Sequence, residues 1–212
     1  MVEEMDTALP IGMLAISRST DDHTFRIQRQ THGGTRSDAR LSNGTVTLSV
    51  SGASDVGRRG EPAALNTLLA GLRAQGLSST QSTANDDRGE DAVIEIGHAR
   101  YTVQFVTVPS DSSFWNRAAR DSAETAARTE SALGWIREAA LAKFHATSPK
   151  ERPRTVLALD AHHAGVLASK QISAAYLSRY ADPRVEFDFV ATWLVGPDVS
   201  SSTQIGSASW NL

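Results

Sequence analysis

Cysteine is absent from this 212-residue chain, which excludes a disulfide framework, a thiolate zinc site, an iron–sulfur cluster and a cysteine nucleophile. A reducing compartment suits such a chain. Lysine is scarce: Lys143, Lys150 and Lys170 are the only three, beside 18 arginines, a skew that reads as coding bias rather than function. No run approaches the roughly 18 apolar residues of a membrane span. The apolar stretch from Leu9 to Ile16 is short, holds Pro10 and follows Glu3, Glu4 and Asp6, the opposite of the positively charged start of a secretory leader. The expectation is a cytoplasmic protein with no membrane partner. The net charge of -3 excludes attachment to nucleic acid through bulk charge, though not a local basic groove.

What is present suffices for one folded core. Hydrophobic residues make up 40% of the chain, a globular share. The first sixty residues read as strands and turns. Met13–Ser17, Phe25–Gln28 and Thr45–Val50 are short segments, the last two alternating apolar with polar, and Asn43-Gly44 is a turn signal. Residues 18–59 carry seven Arg against four Asp, read as a solvated hairpin face in preference to a phosphate-contacting arm.

From Glu61 the period changes. Leu65, Leu68, Leu69 and Leu72 fall at i, i+3, i+4 and i+7, with Pro62 in a first turn and Gly76 past the end, which predicts a helix of about fifteen residues. Ser78–Gly89 is a polar loop. Ala92–Ile96 and Tyr101–Val108 form a hairpin, and Pro109 closes its second strand. Asn116–His145 is Ala-rich and predicts one or two amphipathic helices. Thr155–Leu159 is continuously apolar, the mark of a central strand covered on both faces. Residues 166–180 predict another helix, Val185–Val195 another strand, and the last fifteen residues no regular structure. The organisation expected is a β-rich extension over 1–60, an α/β core over 61–196 and an irregular tail over 197–212. For the core, the alternation predicts a three-layer α/β sandwich around a mixed central sheet.

Phosphate-binding GxxxxGK[ST], HExxH and GxSxG motifs are all missing. The candidates that remain are sparse. Glu61 begins a helix, Asp91 opens one strand of the hairpin, and Gln104 lies within the other, so hairpin pairing sets Asp91 beside the Gln104–Thr107 stretch. A hard cation such as Mg²⁺ takes oxygen ligands, and Asp91 with Gln104 supplies a carboxylate and an amide, with Glu61 outside them. A second cluster, Asp160-Ala161-His162-His163, follows the buried strand, where ligands of open α/β sheets gather. It reads either as a helix-capping Asp160 with surface histidines or as a metal or acid–base group. His98 and His145 are expected to face solvent. Phe114 and Trp115 form an aromatic pair in a polar loop, either an anchor to the core or a stacking platform for a base.

The succession of a helix with Glu61, a strand with Asp91, a strand with Gln104-Phe105-Val106, then helix, strand, helix and strand resembles the PD-(D/E)XK, restriction-endonuclease-like nuclease superfamily over roughly Glu61–Val195. The resemblance implies that fold, a metal-binding Asp91 and Gln104, an auxiliary Glu61, and Mg²⁺-dependent cleavage of DNA or RNA. The family's lysine position is Val106 here, which cannot polarise water, so a cation must come from elsewhere, Arg100 or Lys143 being examples. Arg100, Trp115 and Arg117 are the candidate nucleic-acid contacts. A relative that has lost cleavage keeps the same fold. The competing function is a non-catalytic interaction or scaffold domain, with a homodimer or protein partner docking on the N-terminal strands or the Ala-rich helix.

Overall fold

Alternating apolar residues build the first sheet of the computed structural model, which describes residues 12–19, 24–82 and 91–210. The acidic start at Glu3, Glu4 and Asp6, most of the Leu9–Ile16 stretch and the loop residues 83–89 lie outside the described residues. Strands β1 (Leu14–Ser19), β2 (Thr24–Gln30), β3 (Arg36–Ser42) and β4 (Thr45–Ser51) form an antiparallel meander. Asn43 and Gly44 turn β3 into β4, both at positive φ, where a β-branched residue would be strained. Every second residue of β4 (Val46, Leu48, Val50) is buried.

The second sheet is mixed and has six strands, in the order β11-β10-β9-β7-β6-β5. These are β5 (Ser79–Ser82), β6 (Ala92–Ile96), β7 (Ala99–Thr107), β9 (Thr155–Asp160), β10 (Ala191–Val195) and β11 (Thr203–Ile205). All six residues of β9 are buried, and β9 runs parallel to both β7 and β10, as its unbroken apolar sequence requires. Helix α1 (Glu61–Ala74) covers one face, setting Leu65, Leu68, Leu69 and Leu72 against Val103, Phe105 and Trp193. Each such leucine contributes roughly 1.5–3 kcal/mol by leaving water. On the other face lie α3 (Thr129–Ala146), α4 (Lys170–Arg179) and α5 (Pro183–Phe187), which share one core with the first sheet. The molecule is therefore α/β, with helices on both faces of a mixed sheet and an antiparallel sheet joined to one side.

Long-range pairing overrides several local expectations. The Ala-rich segment is not wholly helical: α2 (Ser112–Arg120) is followed by strand β8 (Ser122–Arg128), which pairs antiparallel with β4 through seven residues. SAETAAR favours helix by composition, but the outer edge of β4 offers a full ladder of unpaired backbone groups, and satisfying them outweighs a weak local preference. Phe114 and Trp115 lie in the first turns of α2 instead of a loop, with Asp111 capping the helix through the Ser113 amide at 2.8 Å. The 166–180 helix is split by Ser169, which caps α4, and the first part of Val185–Val195 is the short helix α5. The tail expected to be irregular supplies β11 and sets Trp210 edge-on to Tyr101, 5.3 Å between ring centroids. Residues 12–60 likewise share a continuous core with α3 and β9.

Gly71 marks the closest approach of α1 to the sheet. A Cβ there would lie 2.8 Å from Trp193 Cζ3. Alanine gains up to about 1 kcal/mol of helix propensity but overpacks a rigid indole, at a cost of roughly 1–3 kcal/mol. Gly71→Ala should therefore lower the urea midpoint by an amount equivalent to roughly 1–2 kcal/mol, without a change in m-value.

Candidate functional site

The β6–β7 hairpin register brings the first two candidates together. Ala92 pairs with Val103, so the residue preceding β6, Asp91, falls beside Gln104. Asp91 Oδ2 accepts a hydrogen bond from the Phe105 backbone N–H at 2.8 Å, which fixes the carboxylate over β7. Gln104 alternates with the inward-facing Val103 and Phe105 and so projects toward α3.

Lys143, in the last turn of α3, completes the group. Its Nζ donates to Gln104 Oε1 at 2.9 Å and reaches Asp91 Oδ2 at 3.3 Å. The Lys143 and Asp91 side chains keep 23% and 21% of their exposure, so the ion pair is neither sealed nor fully solvated and a ligand can reach it. Lys143 ties Asp91 and Gln104 to itself from 39 positions beyond Gln104 in the sequence.

Glu61, half-buried at the first position of α1, belongs to the same electrostatic neighbourhood. Its carboxyl is raised above the ordinary range, first by burial, then by the negative charge of Asp91, with Arg58 and Lys143 opposing and Asp160 adding to the rise. The negative field that Asp91 adds at Glu61 is one that a divalent cation would relieve. Among the described residues no three His, Asp or Glu side chains gather as metal ligands. The oxygen set here is two carboxylates and an amide, which suits a hard cation, provided that Lys143 yields part of its hold on Asp91 and Gln104.

The proposed nucleic-acid contacts do not join this group. Arg100 is exposed on the same face of β7, but four residues toward the hairpin turn, about 13 Å along the strand, and it pairs across the ladder with Glu95. Trp115 is a core anchor: only 9% exposed, its indole N–H donates to the Pro109 carbonyl at 2.7 Å and its ring meets Phe114 edge-on. That leaves no indole face for stacking on a base. Arg117 is exposed on α2, which packs against β4 and β8 of the first sheet, and donates to Ser113 Oγ at 3.3 Å.

The cluster at the end of β9 differs from its expected form. His162 and His163 are buried, at 5% and 4% exposure, not on the surface, and Asp160 caps no helix. Asp160 Oδ1 accepts from the His162 backbone N–H at 2.9 Å and from His162 Nδ1 at 3.0 Å. Burial pushes the Asp160 carboxyl upward, but the hydrogen bonds and charge of His162 outweigh it and hold the group below its ordinary range, ionised. The two imidazoles diverge, as adjacent side chains do. His162 Nε2 lies 3.5 Å from Thr67 Oγ1 on α1, while His163 Nδ1 faces Ser37 Oγ on β3 at 3.4 Å. His98 and His145 are exposed.

Sequence reasoning missed the contribution of the first sheet. Arg29, Thr31 and Asp55 line a cavity of about 210 Å³ with Arg59, Gly60 and His162, next to Glu61. The seven arginines of 18–59 were the available signal, but nothing local says which of them turns inward. Comparison with protein-family models, with curated proteins and with solved structures finds no match to this chain.

Proposed function

We propose that the protein is a metal-dependent phosphodiesterase acting on nucleic acid, of restriction-endonuclease-like fold, whose lysine is supplied by α3 at Lys143 instead of by the strand that carries Gln104. The observation that carries this reading is the Lys143 ammonium 2.9 Å from Gln104 Oε1 and 3.3 Å from Asp91 Oδ2. The strand order β5-β6-β7-β9, with β7 parallel to β9 and Glu61 at the head of the preceding helix, supports it.

In this reading Asp91 and Gln104 orient the cation and Glu61 adds a carboxylate at the edge of the site. Mg²⁺ bound there would supply Lewis acidity toward a phosphodiester and make water a better nucleophile near neutral pH. Lys143 holds the attacking water or a non-bridging phosphate oxygen in line and offsets negative charge as it builds on phosphorus. The Phe105 amide keeps Asp91 from turning away. Half-burial of the group concentrates its field without closing it to a strand of DNA or RNA.

The test is cleavage of single- and double-stranded DNA and RNA with Mg²⁺ or Mn²⁺, comparing the native chain with Asp91→Asn. Asparagine keeps an acceptor for the Phe105 amide, so the fold is retained, while the metal loses its carboxylate. Cleavage should fall at least a hundredfold with the melting temperature changed by no more than a few degrees. Undiminished cleavage in Asp91→Asn, or no cleavage of any of these substrates by the native chain, would overturn the reading.

A further inference from the structure

The cleft between the end of β2 and the head of α1 is polar, partly closed and in electrostatic contact with the Lys143 group. Its volume is about 210 Å³, the size of a phosphate with part of a sugar. Its floor is self-neutralised. Arg29 is half-buried, and burial lowers its affinity for a proton, with Asp160 and Asp55 opposing part of the fall. Asp55 is further engaged by the Thr31 hydroxyl, which donates to its carboxylate. Glycine at 33 and 60 lets the backbone close around Asp55: a Cβ at Gly33 would meet the Asp55 carboxylate and one at Gly60 the Asp55 carbonyl oxygen. Asp55 therefore belongs to the wall and is not free to meet a ligand.

Arg59 is not neutralised in this way. It is exposed, and among the described residues its one hydrogen bond is a long contact of 3.5 Å to the Ser54 carbonyl. His162 also lines the cleft, nine-tenths buried, with Nδ1 fixed on the Asp160 carboxylate and Nε2 meeting, among the described residues, only the distant Thr67 hydroxyl. That hydroxyl already donates to the Ala63 carbonyl at 3.1 Å. A guanidinium donates to phosphate oxygens, and so does His162 Nε2 in the protonated ring, whose Nδ1–H is already given to the Asp160 carboxylate; together they make a seat for phosphate. Gly60 and Ala63, which line the cleft, flank Glu61 in sequence, and Glu61 responds to both Asp91 and Asp160.

We propose that this cleft is a second phosphate seat, in which Arg59 and His162 hold a backbone phosphate of the nucleic-acid strand whose scissile phosphate lies at Lys143. The first sheet then has a functional task, since β2 and the loops around it build the wall of the strand's path. The proposal rests on the phosphodiesterase reading for the identity of the strand, but not for the binding of phosphate itself.

Titration of the full-length protein with inorganic phosphate in EDTA, followed by NMR of the His162 ring and the Gly60 amide, tests it without metal or cleavage. Saturable shifts at both positions are expected, with affinity about tenfold weaker in Arg59→Ala, partly restored in Arg59→Lys, and unchanged in Asp91→Asn. On an uncleaved oligonucleotide with Ca²⁺, Arg59→Ala should also reduce the slope of log affinity against log salt by about 0.7–0.9. Absence of phosphate shifts at these residues, or equal affinity in Arg59→Ala, overturns the second seat even if the chain is a nuclease. Phosphate binding lost in Arg59→Ala, in a chain that cleaves nothing, upholds the seat and removes the phosphodiesterase reading.

Discussion

Lys143→Met is expected to lower Mg²⁺-dependent cleavage by roughly 10²- to 10⁴-fold, the usual contribution of one positioned proton-transfer or charge-stabilising group. Methionine keeps the length and most of the volume of the lysine stem, and the pair it removes is partly solvated, so stability should change by less than about 1 kcal/mol. The loss should fall on kcat, measured in single-turnover experiments, because the ammonium acts on charge that develops in the transition state. Metal affinity should move the other way. Nζ shares Asp91 Oδ2 and Gln104 Oε1 with any cation that binds there, so Mn²⁺ titrated calorimetrically should bind Lys143→Met at least as tightly as the native chain. A merely structural lysine would give the opposite pattern, with weaker folding and unchanged chemistry. Lys143→Met cleaving at the native rate would remove lysine from the mechanism.

Acidification should destabilise the protein through His163. Burial, assisted by the charge of Arg29, lowers this imidazole from 6.5 to about 4, and its Nε2 has no hydrogen-bond partner among the described residues. Between those two values the unfolded chain takes up a proton at His163 that the folded chain refuses. Stability is therefore complete above pH 6.5 and falls as the pH drops toward 4, by roughly 3 kcal/mol at about 1.4 kcal/mol per pKa unit. Urea unfolding at pH 7, 6, 5 and 4 reads this directly. His163→Leu fills the same space among Trp115 and the first sheet without a titratable nitrogen and should flatten the curve by that amount. Asp160 contributes in the same direction at lower pH, because its depressed carboxyl must be protonated for the chain to unfold in acid. An unchanged slope in His163→Leu would remove His163 as the source of the acid sensitivity between pH 7 and 4.

The candidate site was legible in part, and its legible part is local. Asp91 and Gln104 lie thirteen positions apart across one tight hairpin, where the turn sets the register and a period of two sets the face. Lys143 could be named only as one of two cations able to reach across, because its arrival depends on how α3 lies over the sheet. Arg100, the other, projects from the same face of β7 but is held by its own strand some 13 Å from Gln104. Trp115 illustrates the reverse error. An aromatic pair in a run of serine and aspartate looks exposed until Asp111 caps a helix there and turns both rings inward.

The sequence alone determined those elements whose stabilising contacts repeat along the chain. The leucine spacing of α1, the unbroken apolar run of β9 and the Asn43-Gly44 turn each state their own burial or backbone geometry within a few residues. Only the tertiary structure decided that SAETAAR would be a strand, that the tail would close both the sheet and the Tyr101 face, and that Lys143 would meet Asp91. Those outcomes depend on which backbone edge lacks a partner and which helix crosses which strand. Such energies exist only between segments already brought together, so no window of the chain contains them.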